Sequence, residues 1–396
     1  MTMRVLFASA SALLDPASGA AISLRTILNE LGRQGHVAAS FGGTIFDSPR
    51  FKTSGAALGE LGGRPTSETD PVGMPWRIDD AYSAHYLLPL SNQLRREQSC
   101  ADEERIARAG EAFIAEFRPD ILITYGAGQS ERAITRFTRE RGVRTVFYLA
   151  NPSYRRLESF EHIDQIVTDT QATADLYRER LGLSTVPIGK FVATPTLPSN
   201  AGARDKVTFI NPAAEKGVTL FYRIAELAAK VAPRLRFLVV ESRSTLAAAT
   251  ARTGMAFEHM ANIERMGMQQ DMGLVFARTK ILLQPSLWHE SGGRAAIEAA
   301  TLGIPMVVSD RGGLPEVLAG AGIQIAPPAP LVANHWLIPP PTVAIPWVEA
   351  LRSLDEDPGY YAEHSDAARQ AAVVHEPARR TRELVVLFET ILTRHA

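Results

Sequence analysis

Short apolar runs alternate along this chain with longer segments whose apolar positions recur at helical spacing. The first unit reads as a strand from Arg4 to Ala10, a loop to Ala20, a helix from Ala21 to Gly35 and a strand from Val37 to Phe41. A helix over 96–117 follows, with charges of alternating sign along its polar face, the mark of a solvated surface. Strands at Ile121 to Thr124, Thr145 to Leu149 and Gln165 to Thr168 then alternate with helices at 129–141 and 171–181. The second half repeats this alternation, with strands at Val207 to Ile210, Arg236 to Glu241, 281–284 and Met306 to Ser309, and helices at 217–232 and 270–279. Helices near 346–356, 359–374 and 376–395 close the chain. Residues 42–95 and the proline-heavy 326–346 break the pattern and read as irregular insertions.

Repeated βα units predict parallel sheets with helices on both faces. A length of 396 residues fits two such domains of about 200 residues each. The Pro/Gly/Ser stretch 193–205 is the clearest boundary, dividing 1–192 from 206–375, with the last helix (376–396) expected to pack back on the first domain. The fold class expected is therefore α/β, two doubly wound domains facing a cleft at the carboxyl ends of their strands.

A net charge of −1 and the lack of any basic block with interleaved aromatics argue against a nucleic-acid partner. The single cysteine, Cys100, excludes an internal disulfide framework, and the nine histidines show no metal-ligand spacing. The first residues, Met1 to Leu14, have the outline of a signal peptide, but they continue into the same αβ unit and read better as a buried strand. No apolar run approaches the roughly 20 residues that span a bilayer. A cytoplasmic location is expected.

The most informative stretch runs from Pro285 to Pro305. Glu290 and Glu298 stand eight positions apart, with Gly292, Gly293 and Arg294 between them. An apolar strand leads in; Met306 to Ser309 and Asp310-Arg311-Gly312-Gly313-Leu314-Pro315-Glu316 follow. Strand, glycine loop and helix start make a site for an anionic phosphate, and carboxylates at either end suit vicinal hydroxyls. A nucleotide-sugar site is the expectation.

These residues resemble the retaining glycosyltransferases of family 4, the glycosyl transferases group 1 with the GT-B fold. The resemblance is strongest over 281–325, moderate over 1–40, 160–190 and 205–232, and absent over 42–95 and 326–345. It implies that Glu290 holds the donor sugar, that Glu298 holds the nucleotide ribose, and that the amides around Gly292, Gly293 and Arg294 bind the diphosphate. Lys216, in Asn211-Pro-Ala-Ala-Glu-Lys-Gly217, matches the family's phosphate-binding lysine. Where the family usually has an arginine five positions earlier, this chain has Asn211, and Arg294 is the candidate replacement cation. Trp288 and His289 read as wall and packing residues.

On the first domain, Ser18-Gly19-Ala20 precedes the first helix; Gly19 serves equally a phosphate approach or a plain helix start. The family's acceptor-side histidine is missing, and Tyr125 and Gly126 stand in its place. Asn151, Tyr154 and Arg155 form a further acceptor-side candidate, for which a solvated loop is an equal reading. Asp355-Glu356-Asp357 ends a helix before Pro358 and reads as a cap, and Ser9 and Ser11 lie in no nucleophile elbow.

The resemblance thus implies a hexosyltransferase-type enzyme with a nucleoside diphosphate-sugar as donor, UDP foremost, and a small-molecule, glycan or peptide acceptor. No cofactor or metal is expected, and stabilisation of the leaving diphosphate by Lys216 and Arg294 should dominate catalysis. The alternatives are a GT-B nucleotide-sugar epimerase or hydrolase, or a relative that binds without turnover.

Overall fold

The protein is described by a computed structural model over residues 2–47 and 50–393. The chain divides into two compact units, Met1–Phe191 with Pro377–Ala396, and Val192–Glu376. Residues 193–205 hold no helix or strand and belong to the second unit.

In the first unit, β1 (Arg4–Ala8), α1 (Gly19–Arg33), β2 (Val37–Gly43), α2 (Ser54–Glu60), β3 (Arg64–Pro65), β4 (Trp76–Asp79) and β5 (Ala84–Leu88) come first. They are followed by α3 (Cys100–Phe117), β6 (Ile121–Thr124), α4 (Gln129–Glu140), β7 (Arg144–Leu149), β8 (Gln165–Thr168), α5 (Gln171–Leu181) and β9 (Thr185–Pro187). The strands form one sheet in the order β3-β4-β5-β2-β1-β6-β7-β8-β9. Pairing is parallel except at the β3–β4–β5 edge. β1 shows why its segment folds this way: Val5 and Phe7 enter the core on one face, Leu6 and Ala8 the core on the other. A strand covered on both faces reads as an unbroken apolar run. α1 buries Leu24, Ile27, Leu28 and Leu31 on one stripe, and Ser18 caps it by accepting from the Ala21 N–H.

The expectation of irregular structure over 42–95 is corrected here. β5 pairs in parallel with β2 and extends the sheet, and the β3–β4 hairpin adds its edge. These strands escape a periodicity reading because they have two to five residues each and are separated by Gly/Pro/Ser loops.

The second unit runs β10 (Lys206–Ile210), α6 (Val218–Val231), β11 (Arg236–Val240), α7 (Leu246–Thr253), β12 (Ile263–Met266), α8 (Met272–Phe276) and β13 (Thr279–Gln284). It continues with α9 (Arg294–Thr301), β14 (Met306–Ser309), α10 (Leu314–Leu318), β15 (Ile323–Ile325), α11 (Ala329–Ala333), α12 (Ile345–Glu356) and α13 (Pro358–Ala372). Its sheet is parallel throughout, in the order β12-β11-β10-β13-β14-β15. The proline-heavy 326–346 forms α11 and a 3-10 turn that lead into α12, whose fully buried Trp347 fills the core beside Phe221 and Phe237. Asp357 caps α13, and Asp355 pairs with Lys280 at 2.5 Å, so the acidic triplet is structural.

The last helix, α14 (Pro377–Thr393), belongs to the first unit. Leu384, Phe388 and Ile391 join Met3, Leu24 and Leu28 in its core. The expected helix over 376–396 runs past this span, and positions 394–396 lie outside the described residues. Phe388→Ala is expected to lower stability by about 3–5 kcal/mol, read as an earlier first transition in urea unfolding. An unchanged midpoint would mean that α14 adds nothing to the first unit's core.

Candidate functional site

Both sheets contain a point where the strand order reverses. In the second unit the chain leaves β10 toward β11 and β12, then returns on the other side through β13, β14 and β15. The loops after β10 and β13 therefore diverge and leave a crevice at the strand ends, where α/β sheets place their ligands. Lys216 lies on the first of these loops and Glu290 on the second.

The two loops are fastened together by backbone. The Glu215 carbonyl accepts from the N–H groups of Leu287 and Trp288, each at 2.9 Å, and the Ser286 hydroxyl oxygen lies 3.2 Å from it. Gly217 comes next, at φ +85°, and a Cβ there would lie 1.9 Å from the Pro285 carbonyl oxygen. Only glycine meets both conditions. This fastening brings the Lys216 ammonium to 2.5 Å from Glu290 Oε1, which also accepts from Ser286 Oγ at 2.6 Å. Gly293, at φ +48° and against Leu314, ends the loop and starts α9 with no side-chain cap and no acidic residue in its first turn. Such a helix start presents partial positive charge to an anion. One turn on, Arg294 Nε donates to Glu298 Oε1 at 2.8 Å.

Glu290 and Glu298 are both buried, at 7% exposure each. Burial pushes the Glu290 carboxyl upward, but Lys216, Ser286 and Gln284 together overcome it and hold the group below the usual carboxylate range. Glu290 is thus an anion throughout the neutral range and is suited to accepting hydroxyls.

In the first unit the strand order reverses between β1 and β6. A cavity of about 200 Å³ opens there, lined among others by Ser11, Asp15, Arg95, Tyr125, Asn151 and Tyr154. Glu131, buried at the start of α4, accepts from Ser9 Oγ, the Ala10 N–H and the Gly128 N–H, and so ties the β1 end to α4. The Gly126 N–H donates to the Tyr154 hydroxyl at 3.0 Å. Burial pushes the Tyr154 phenol up to about 12 despite that bond, and raises Tyr125 further, so both stay protonated at neutral pH. Tyr148, on the cavity wall, donates to Asp169, which pairs with the buried Lys190 at 2.6 Å.

The structure therefore brings Lys216 to Glu290 and Arg294 to Glu298, with Gly292 and Gly293 in the loop between the glutamates. Asn211 lies on the same β10–α6 turn, but its side chain is engaged elsewhere, accepting from the Ser244 N–H at 3.2 Å. Tyr125, Asn151 and Tyr154 share the first unit's cavity, and Gly126 bonds to one of its walls. Gly19 opens α1 beside two lining residues, with open space where a Cβ would stand. Arg155 is exposed and does not line this cavity. Sequence reasoning missed Ser286, Gln284, Asp15 and Arg95, which carry no spacing signal and are assembled only by the folded loops. Trp288 packs edge-on against His335, as a wall residue would.

Residues 204–356 match the profile of the family described as glycosyl transferases group 1. This span contains the whole of the second unit's site. No curated protein matches the sequence. Among solved structures, the catalytic domain of starch synthase IV from Arabidopsis thaliana, bound to ADP and acarbose, is similar at a TM-score of 0.71 and 11% identity, with 100% of each chain covered. Sucrose-phosphate synthase from Thermosynechococcus elongatus gives 0.70 and 13%, covering 98% of this chain and 99% of its own. Anabaena Alr3699/HepE in complex with UDP-glucose gives 0.68 and 14%, covering 98% and 100%. The fold is the two-domain α/β architecture of the GT-B glycosyltransferases. Among the described residues no helix is long and apolar enough to cross a membrane, and no cluster of three or more His, Cys, Asp or Glu side chains has the arrangement of a metal site.

Two outcomes check the site's construction. Gly217→Ala should cost about 2 kcal/mol or more, from the positive φ and the Pro285 clash together, measured by thermal unfolding. Because the Glu290 carboxyl is lowered in the fold, its pairing contributes stability above the ordinary glutamate value of about 4.3 and loses it as pH falls below that. The gap in melting temperature between wild type and Glu290→Gln should accordingly be widest near neutrality and close toward pH 3; a gap independent of pH would deny the ion pair.

Proposed function

We propose that this protein is a retaining glycosyltransferase that moves a sugar from a nucleoside diphosphate-sugar, UDP foremost, to a hydroxyl-bearing acceptor, and that it needs no metal. The observation that carries this reading is the Lys216–Glu290 contact at the β10/β13 crevice, beside the uncapped start of α9 and inside the span matched by the group 1 family. The second unit is the donor side and the first unit's cavity the acceptor side.

Lys216 gives one of its three N–H groups to Glu290 and keeps the others for phosphate oxygens. As the bond between the anomeric carbon and the diphosphate breaks, charge builds on the departing oxygen. Lys216, Arg294 and the α9 start are placed to stabilise it, which is the service a divalent metal performs in other transferases. Glu290, fixed by Lys216 and Ser286, orients the donor sugar through its hydroxyls. Glu298, held by Arg294, accepts from the ribose. The neighbour crystallised with UDP-glucose supports the choice of uridine.

The test is turnover of a panel of UDP-, GDP- and ADP-sugars, with and without EDTA, read by nucleotide release and by the anomeric configuration of the product. A UDP-sugar should be consumed, with configuration retained and no effect of EDTA. Consumption of none of the donors would end the reading, and a free epimerised or hydrolysed sugar as sole product would replace it. Lys216→Ala should lower kcat about a hundredfold or more. Glu298→Ala should instead raise the donor KM by about ten- to a hundredfold, the loss of one charged hydrogen bond of roughly 1.5–3 kcal/mol.

A further inference from the structure

The first unit has a second, larger cavity of about 610 Å³, within the size range of small-molecule sites. It lies over the α3 face of the sheet, with Arg4 of β1 and Tyr86 of β5 below, α3 on one side and the segment before β4 on the other. It shares no lining residue with the cavity at the β1/β6 reversal.

Its floor is aromatic. Tyr86 and Phe113 pack at 4.6 Å between ring centroids, and Phe113 stacks on Phe117 at 5.8 Å. Its rim is cationic. Arg4 lies 4.5 Å over the Phe117 ring and gives its Nε–H to the Phe117 carbonyl, while Arg105 gives one N–H to the Val72 carbonyl at 2.9 Å. Neither of these two forms an ion pair among the described residues, whereas most of the chain's arginines shown in ion pairs reach a carboxylate within 3 Å. Arg108 reaches Glu104 only at 3.9 Å, with both side chains exposed. Against these three cations the cavity lining offers one carboxylate, Glu116.

An apolar floor beside guanidinium groups held by neutral carbonyls or by one long, exposed carboxylate contact is complementary to one kind of small molecule. We propose that this cavity binds an amphipathic anion, with a phosphate- or carboxylate-type headgroup at Arg105 and Arg108, about one turn apart on α3, and an alkyl or aryl body along the Tyr86–Phe113–Phe117 floor, which Arg4 closes at its Phe117 end. Planar guanidinium forks suit both headgroups, and the rings add cation–π and apolar contact. The site shares no lining residue with the cavity at the β1/β6 reversal, and the proposed function gives the donor nucleotide to the second unit, so its ligand is a regulator or a second substrate portion.

Calorimetric titration of the full chain with octyl phosphate, 1-octanol and inorganic phosphate tests this. Octyl phosphate should bind with a stoichiometry of one, and the alcohol and the bare phosphate at least about tenfold more weakly, because each satisfies only half of the site. Ala112→Trp, which fills the cavity from α3, and the double variant Arg105→Ala with Arg108→Ala should each weaken octyl phosphate binding by about tenfold or more. Ala112 is exposed, so the Ala112→Trp protein should melt as wild type does and tests the site without removing the Arg105–Val72 bond that the double variant loses. The proposal is overturned by no binding of octyl phosphate, by equal binding of octanol or inorganic phosphate, or by binding that neither substitution alters.

Discussion

The second unit's site depends on one piece of backbone: the Glu215 carbonyl, bonded to two consecutive amides of the neighbouring loop, with Gly217 pressed against Pro285. Neither loop belongs to the other's strand, and the reversal of strand order would otherwise let them separate. Once they are fastened, the Lys216 side chain has a short path to Glu290, and Ser286 has no choice but to face the same carboxylate. A misplacement of about an ångström in such a site is costly to catalysis. The side chains that carry the chemistry are positioned here by groups that carry none.

Electrostatics then explains why four charged residues tolerate burial together. Each carboxylate has its cation within 2.8 Å, so the ligand-free crevice is close to neutral and no buried charge stands alone. The same solution appears in the first unit, where Lys190, Asp169 and Tyr148 bond to one another under the cavity wall. Paired cations remain useful to a ligand because lysine and arginine have more N–H groups than one carboxylate can take. In the proposed reading, an entering diphosphate shares them and displaces neither pair.

Much of this was legible in the sequence, and the reason is local. Central strands such as β1 and β10 are apolar on both faces, and helices such as α1 show their stripe at regular spacing, so the doubly wound pattern stands out. The motif residues Lys216 and Glu290 sit on the loops after β10 and β13, and Arg294 and Glu298 on the helix that follows the second loop. Strands β3 and β4, at the sheet edge, were illegible because a strand of two to four mostly exposed residues has too few positions to show a period. Ser286, Asp15 and Arg95 were illegible for a different reason: they lie on irregular loops whose folded path, not a periodic spacing, decides which groups they meet. Arg155 stands apart from these, a charge at a suggestive strand end that the fold leaves exposed and outside the first unit's cavity.

Asn211 and Arg294 show how a departure from a motif can be consistent with its chemistry. Asn211 takes the left-handed conformation at φ +59°, which asparagine tolerates far better than most residues. Its side chain bonds to the Ser244 N–H and its own N–H to the Val240 carbonyl, so it shapes the turn that ends at Lys216. An arginine there would forfeit the acceptor that Ser244 uses. The cation that this position does not supply has a counterpart in Arg294, on the first turn of α9 and braced by Glu298 one turn later. A positive side chain at a helix start works against the dipole, and here that unfavourable placement is offset by the carboxylate four residues on. In the proposed reading the turn residue builds the loop, and Arg294 at the helix start contributes the charge.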